Sequence, residues 1–174
     1  MTQSSQVLTP VGLAGLGSYL PERVMTNDDF ARMVDTNDEW ITKRTGIKER
    51  RWVEDGEDCS DLATEAGRRA LEDAGLKPED LDLIIVGTLT PDYMMPSCAV
   101  LVQEKLGAKQ SAAFDVAAAC TGFLTALTTA EAFVAAGKAR TVLAIGAETL
   151  SRFLDVKDRG SCICLLYTSP SPRD

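Results

Sequence analysis

Leu83-Ile84-Ile85-Val86 is the stretch that most limits what this chain can become. Successive side chains of a strand point to opposite faces, so four apolar residues in a row need cover on both sides. That is the interior strand of a parallel sheet. The segments after it keep the same logic. Ala99, Val102, Gln103 and Leu106 carry helical spacing and stop at Gly107. Ala112 to Ala118 reads as a strand, Thr121 to Ala136 as a long helix stopped at Gly137, and Thr141 to Ile145 as a strand. Strand, helix, strand, helix, strand with short connections predicts an α/β fold with right-handed crossovers and a mostly parallel sheet under covering helices. In such sheets, sites form beyond the carboxyl ends of the strands.

Upstream of Leu83 the elements are shorter. Val11 to Leu16 is apolar and Gly-rich and is expected as a strand followed by a turn. It lacks the third glycine and the following helix of a dinucleotide fingerprint. Thr26-x-x-Asp29 has capping-box spacing and predicts a short helix through Phe30, Met33 and Val34. Thr36-x-x-Glu39 repeats the start signal, and Gly46 is a natural stop. Asp58 or Ser60 can cap a helix with Leu62, Ala63, Ala66, Ala70 and Ala74 inward, closed by Gly75. Lys77 to Asp80 reads as a turn and Thr88 to Pro96 as a loop.

Bulk properties narrow the function classes. A chain of 174 residues suits one domain with a sizeable core. The net charge of −8 repels phosphate backbones, so nucleic acid is not expected as a partner. No apolar run reaches bilayer length, so no membrane partner is expected. Met1 to Pro10 is read as a flexible N-terminus without a secretory pattern, and the cytoplasm is the expected location. The basic stretch from Lys43 to Arg51 is either a local anion site or a solvated basic face. Within it Trp40 and Arg44, four apart, share one helix face. They either hold a purine and its phosphates, or form a half-buried indole with a guanidinium lying over it.

The cysteines are Cys59, Cys98, Cys120, Cys162 and Cys164, and the chain contains no histidine. Without histidine or a CxxC pair, the spacing argues against a zinc site, and no metal or cofactor is expected. Cys162 and Cys164 read as packing on one side of a strand. Cys120 follows the small, apolar run Phe114 to Ala119 and precedes Gly122 and a helical segment. A thiol at the first turn of a helix meets unpaired N–H groups and the positive end of the dipole, which favour the thiolate. A lone cysteine among alanines is equally readable as a small buried hydrophobe. Its place at the end of a strand gives the nucleophile reading its weight.

Asp115-Val116-Ala117-Ala118-Ala119-Cys120-Thr121-Gly122-Phe123 resembles the nucleophile signature of β-ketoacyl-[acyl-carrier-protein] synthase III, a thiolase-fold condensing enzyme family. The resemblance extends, in order, over Gly15-x-Gly17-Ser18-Tyr19-Leu20-Pro21, Asn27, Asp38-Glu39-Trp40-Ile41, Arg44-Thr45-Gly46-Ile47 with Glu49-Arg50, Pro96-Ser97 and Asp158-Arg159-Gly160. It covers residues 11–165. It implies the N-terminal one of the two duplicated halves of a thiolase-like fold. It implies that Cys120 accepts an acyl group from acyl-coenzyme A, with an oxyanion hole from the surrounding backbone. The acyl group is then condensed with malonyl-acyl-carrier protein, with loss of carbon dioxide. Trp40 and Arg159 would flank the coenzyme A adenine, while Thr36 and Arg44 would hold its nucleotide and phosphate portion. Met94 and Met95 occupy the loop that reaches the partner's acyl pocket in the family's homodimer, where some members carry an aromatic. A polyketide starter synthase, or a non-catalytic coenzyme A-binding half acting with a partner chain, are the rival readings.

Two departures from the family pattern shape the expectation. The family's catalytic His and Asn lie in the second half, which this sequence does not contain. After Leu165 the family continues with a Gly-Asp-Gly turn, whereas residues 166–174 read Leu-Tyr-Thr-Ser-Pro-Ser-Pro-Arg-Asp. That stretch is read as an unrelated or artefactual tail on a truncated frame. The expectation is therefore residual acylation of Cys120 at most, no condensation by this chain alone, and an exposed apolar face on the helix after Cys120.

Overall fold

The computed structural model describes residues 10–160. The expected flexible N-terminus up to residue 9, the tail at 166–174, and Cys162 and Cys164 lie outside the described residues. The chain divides into two compact units. One comprises Leu20–Glu57 and the segment from Thr149, and the other comprises the segment up to Tyr19 with Asp58–Glu148.

In the smaller unit, β1 (Val24–Thr26) pairs antiparallel with β2 (Glu49–Arg51). Thr26 caps α1 (Asn27–Ala31), as its spacing predicts. The Asp29 N–H donates to Thr26 Oγ1 at 3.2 Å, and the Thr26 N–H donates back to Asp29 Oδ2 at 2.9 Å. The helix is shorter than expected. It ends before Met33, which stays exposed, while Val34 packs on the core. The start of α2 (Asp38–Thr45) also differs from expectation. Its cap is Asn37, not Thr36, because the side-chain oxygen Oδ1 of Asn37 accepts the Trp40 N–H at 2.8 Å. Gly46, at φ 74°, closes the helix, a conformation that suits glycine. Met25, Phe30 and Ile41 form the small core, with Trp40 and Trp52 against it. Asn27 is buried beside them. Its amide donates to Asp38 Oδ1 and to the Ile47 carbonyl, both at 2.8 Å, and its oxygen accepts from Arg50 Nη1 at 2.8 Å.

In the larger unit, the expected strand over Val11 to Leu16 does not form. The segment instead lies along α3 (Cys59–Ala74). A Cβ at Gly15 would fall 2.6 Å from the Ala70 carbonyl oxygen, and one at Gly17 would fall 2.3 Å from that of Ala66. Glycine at these positions lets backbone touch backbone. The Leu16 N–H donates to Asp73 Oδ2 and Arg69 donates to the Ser18 carbonyl, each at 2.9 Å. Ala66, Ala70 and Ala74 thus carry this segment, and of the three Ala70 also packs against the core. The core face of α3 is Cys59, Leu62, Ala63, Gly67 and Leu71. Asp58 is its cap, and Ser60 lies within the helix.

The sheet is β4-β3-β5 and all parallel, from β3 (Leu83–Gly87), β4 (Ala112–Val116) and β5 (Val142–Gly146). The strand expected to run to Ala118 ends at Val116. Every residue of β3 is buried, as its apolar run requires. Ile84 and Val86 pack with α3 and with Val102 and Leu106 of α4 (Cys98–Leu106). Leu83 and Ile85 pack with Ala126 and Ala130 of α5 (Gly122–Ala135). One period-2 strand therefore feeds two separate hydrophobic layers.

The carboxylate of Asp115, on β4, accepts the Cys98 and Ala99 N–H groups, both at 2.7 Å. It caps α4 from the sheet, while Ser97 makes no side-chain cap bond. Asp115→Ala should destabilise the larger unit by about 2 kcal/mol, because two charge-assisted bonds to buried donors are lost. Urea unfolding followed by circular dichroism measures it. Phe123 and Leu124 on α5 remain 46% and 60% exposed. Sedimentation velocity should show the chain self-associating at micromolar concentration, and Phe123→Ser/Leu124→Ser should reduce it.

Candidate functional site

Two glycines make the seat for Cys120. Gly87 ends β3 and Gly146 ends β5, and the two are register partners. A Cβ at Gly87 would lie 2.4 Å from the carbonyl carbon of Gly122, and one at Gly146 would lie 2.7 Å from the Phe123 Cβ. Any side chain there would push the start of α5 off the end of the sheet. With glycine, the helix start settles directly over the carboxyl edge. The connection from β4 is a 310 turn over Ala119–Thr121, tied by the Thr121 N–H and Oγ1, which both donate to the Ala118 carbonyl at 3.0 and 2.8 Å. Ala119 sits at φ 46°, a left-handed conformation that is costly for a residue with a Cβ. The strained residue holds Cys120 outward. Cys120 is exposed, so the buried-hydrophobe reading of this cysteine does not hold. It stands at the strand ends, where the strand order placed it, beside the first turn of α5.

The second group lies in the smaller unit. The Arg44 guanidinium rests 4.3 Å from the Trp40 ring centroid, and that of Arg159 rests 4.2 Å from it. Arg44 Nη1 also donates to the Trp40 carbonyl at 3.3 Å. Trp40 is half-buried, with the Arg44 guanidinium over its ring and that of Arg159 added to it. Two cations on one indole create a positive, flat-bottomed surface suited to an anion that also carries a planar ring. Thr36 is half-buried, and its Oγ1 has no hydrogen-bond partner and presents nothing to solvent. Met94 and Met95 are 97% and 87% exposed on the loop between β3 and α4.

The rest of the basic stretch is largely engaged within the unit. Lys48 pairs with Asp38 at 2.9 Å, Arg50 lies 4.8 Å over the Phe30 ring, and Arg51 donates to the Pro21 carbonyl at 3.1 Å. The Asp38 carboxyl is held down at about 2 by hydrogen bonds from Lys48, then Asn27, then Thr42. A carboxyl with a folded value below its ordinary 3.8 adds stability above that value and loses it as pH falls through the folded one. The melting temperature should therefore decline between about pH 4 and pH 2, and Asp38→Asn should flatten that decline in thermal scans followed by circular dichroism.

Cys59 and Cys98, far apart in sequence, meet in the core. Their mutual hydrogen bond lowers the Cys59 thiol, and that bond together with burial raises Cys98. Sequence reasoning also missed Gly87, Gly146 and Asp115. The signal available was a glycine closing each of two apolar strands.

Comparison with known proteins agrees with this geometry. The family model described as 3-oxoacyl-[acyl-carrier-protein (ACP)] synthase III matches residues 114–165, from β4 through the Cys120 turn and α5. The β-ketoacyl-[acyl-carrier-protein] synthase III of Caldanaerobacter subterraneus subsp. tengcongensis is 59% identical over 152 residues, covering 87% of this chain and 46% of that protein. That of Clostridium acetobutylicum is 53% identical over 156 residues, covering 90% and 48%. The crystal structure of 3-oxoacyl-[acyl-carrier-protein] synthase III from Aquifex aeolicus VF5 superposes with a TM-score of 0.83 at 52% identity, over 86% of this chain and 48% of that one. The priming β-ketosynthase of the R1128 polyketide pathway gives a TM-score of 0.83 at 38% identity, over 87% and 45%. The chain spans about half the length of the relatives it matches. Its fold is thiolase-like, and over that half the chain is similar to β-ketoacyl-[acyl-carrier-protein] synthase III.

Proposed function

We propose that this chain carries the acyl-accepting cysteine of a decarboxylative condensing enzyme of type II fatty acid synthesis. The observation that carries the reading is the exposed Cys120 on its strained turn over the glycine ends of β3 and β5. The Cys120 thiolate attacks the thioester carbonyl of acyl-coenzyme A. The carbon–sulfur bond to coenzyme A breaks, its thiolate leaves and takes up a proton, and the acyl group stays on Cys120. Backbone N–H groups at the start of α5 would stabilise the oxyanion in between. Condensation then needs malonyl-acyl-carrier protein to lose carbon dioxide and attack the acyl carbonyl. This sequence has no histidine to assist that step.

Trp40 and Arg159 take the adenine and Arg44 the phosphates of coenzyme A, with Thr36 beside them. Met94 and Met95 bear on the acyl chain, and the working protein is a cytoplasmic homodimer. These roles rest on the family resemblance and on the paired guanidiniums over the indole. Incubation with radiolabelled acetyl-coenzyme A should label the purified chain, and Cys120→Ala should remove the label. Addition of malonyl-acyl-carrier protein should yield no 3-oxoacyl product. Trp40→Ala should weaken coenzyme A binding about tenfold by calorimetry, as expected for one lost stacking contact of about 1–2 kcal/mol. Label that survives Cys120→Ala would refute the nucleophile assignment. Unchanged coenzyme A binding in that variant, with no labelling of the parent, would favour a non-catalytic binding half. Starter-unit selection for polyketide synthesis is the second reading, favoured by the likeness to the R1128 priming β-ketosynthase. Labelling by longer or branched acyl-coenzyme A in preference to acetyl-coenzyme A would favour it.

A further inference from the structure

Among the described residues, the two thiols that the proposed chemistry does not use lie together with a carboxylate. Cys59 is the first residue of α3 and Cys98 the first residue of α4. Both side chains are buried, at 1% and 0% exposure. Asp92, from the loop after β3, is half-buried and lies near both. The two Sγ atoms and an Asp92 carboxylate oxygen all lie within 4.8 Å of one another. Ligands at 2.0–2.3 Å from a tetrahedral zinc ion stand about 3.5–3.8 Å apart, so the donors need to close by no more than about 1.3 Å.

We infer that Cys59, Cys98 and Asp92 form a binding site for a thiophilic divalent cation of the zinc class. Two thiolates select a soft ion over magnesium or calcium. A fourth donor is at hand, since the Ala147 carbonyl oxygen and Thr88 Oγ1 each lie 3.5 Å from Cys59 Sγ. The carboxylate is already aimed. The Ser60 N–H donates to one Asp92 oxygen at 2.8 Å and the Ser60 hydroxyl to the other. Such supporting bonds orient metal ligands and strengthen binding. The half-buried Asp92 side of the cluster is the route of access. On binding, each thiol gives its proton to solvent, two metal–sulfur bonds form, and no electron is transferred. Sequence spacing hid this group because its two cysteines come from different helices, with neither a CxxC pair nor a histidine to mark them.

The test uses the full chain with Cys120→Ser, Cys162→Ser and Cys164→Ser, so that Cys59 and Cys98 are its sole thiols. The reduced protein is titrated with cadmium and followed by the ultraviolet thiolate-to-metal charge-transfer band, then back-titrated with zinc. The band should saturate at one equivalent, and zinc should abolish it. Cys59→Ser or Cys98→Ser should remove it, and Asp92→Asn should weaken binding by about tenfold. Absence of the band, or a band of equal strength in either serine variant, overturns the site. If the serine variants do not fold, the parent still decides. Zinc should protect both thiols from maleimide under conditions that label the zinc-free chain, and equal labelling with and without zinc overturns it. Loss of this site would leave the Cys120 reading intact, since the three donors contribute nothing to acyl transfer.

Discussion

The backbone of Gly87 closely approaches that of Gly122, and the placement of Cys120 depends on it. A strand end and a helix start touch without a side chain between them. That contact sets the height of α5 over the sheet, and Gly146 sets its lateral position against Phe123. The 310 turn must then bridge Val116 to Gly122 in a few residues. Ala119 absorbs the mismatch in a left-handed conformation. The strain is held because both ends of the turn are anchored, one in a parallel ladder and one in a helix with its inner face buried. Geometry that a loop would leave variable is imposed here by packing.

The same economy governs the helices on the other face. Asp115 lies in β4 yet caps α4, so one carboxylate ties a strand to a helix start. Asn27 does the equivalent work in the smaller unit. It joins the start of α1 to Asp38 of α2, to the Ile47 carbonyl after that helix and to Arg50 of β2. Each is a polar group that joins elements through its hydrogen bonds, so its loss leaves donors or acceptors without partners.

Much of this was legible in the sequence. The run from Leu83 to Val86 required cover on both faces and received it, and the strand–helix order gave a parallel sheet with Cys120 beyond its carboxyl edge. Local capping rules worked where donor and acceptor are near in sequence, as at Thr26, Asp58, Gly46 and Gly75. They failed at Thr36, where the adjacent Asn37 takes the cap position and accepts the Trp40 N–H. Val11 to Leu16 reads as a strand by composition, but its glycines serve close packing on α3. Alanine spacing on α3 misplaced the core face for the same reason, since alanine suits both a core and a backbone contact. Long-range partners such as Asp115 with Cys98, or Cys59 with Cys98, carry no local signature and emerge only once the chain has folded.

The indole of Trp40 has a further consequence. With Arg44 and Arg159 both resting on it, the ring already holds a positive charge at stacking distance. Any flat ligand that stacks there must first displace a guanidinium, at a cost of about 0.5–2 kcal/mol. A bare purine gains its stacking energy and loses that amount, which nearly cancels. A purine that also carries phosphate recovers it, because the displaced guanidinium finds a charged partner of matching shape. Such a surface would favour nucleotides over nucleosides before any direct phosphate pocket is considered, with the cation a competitor to the ring and an ally of the charge.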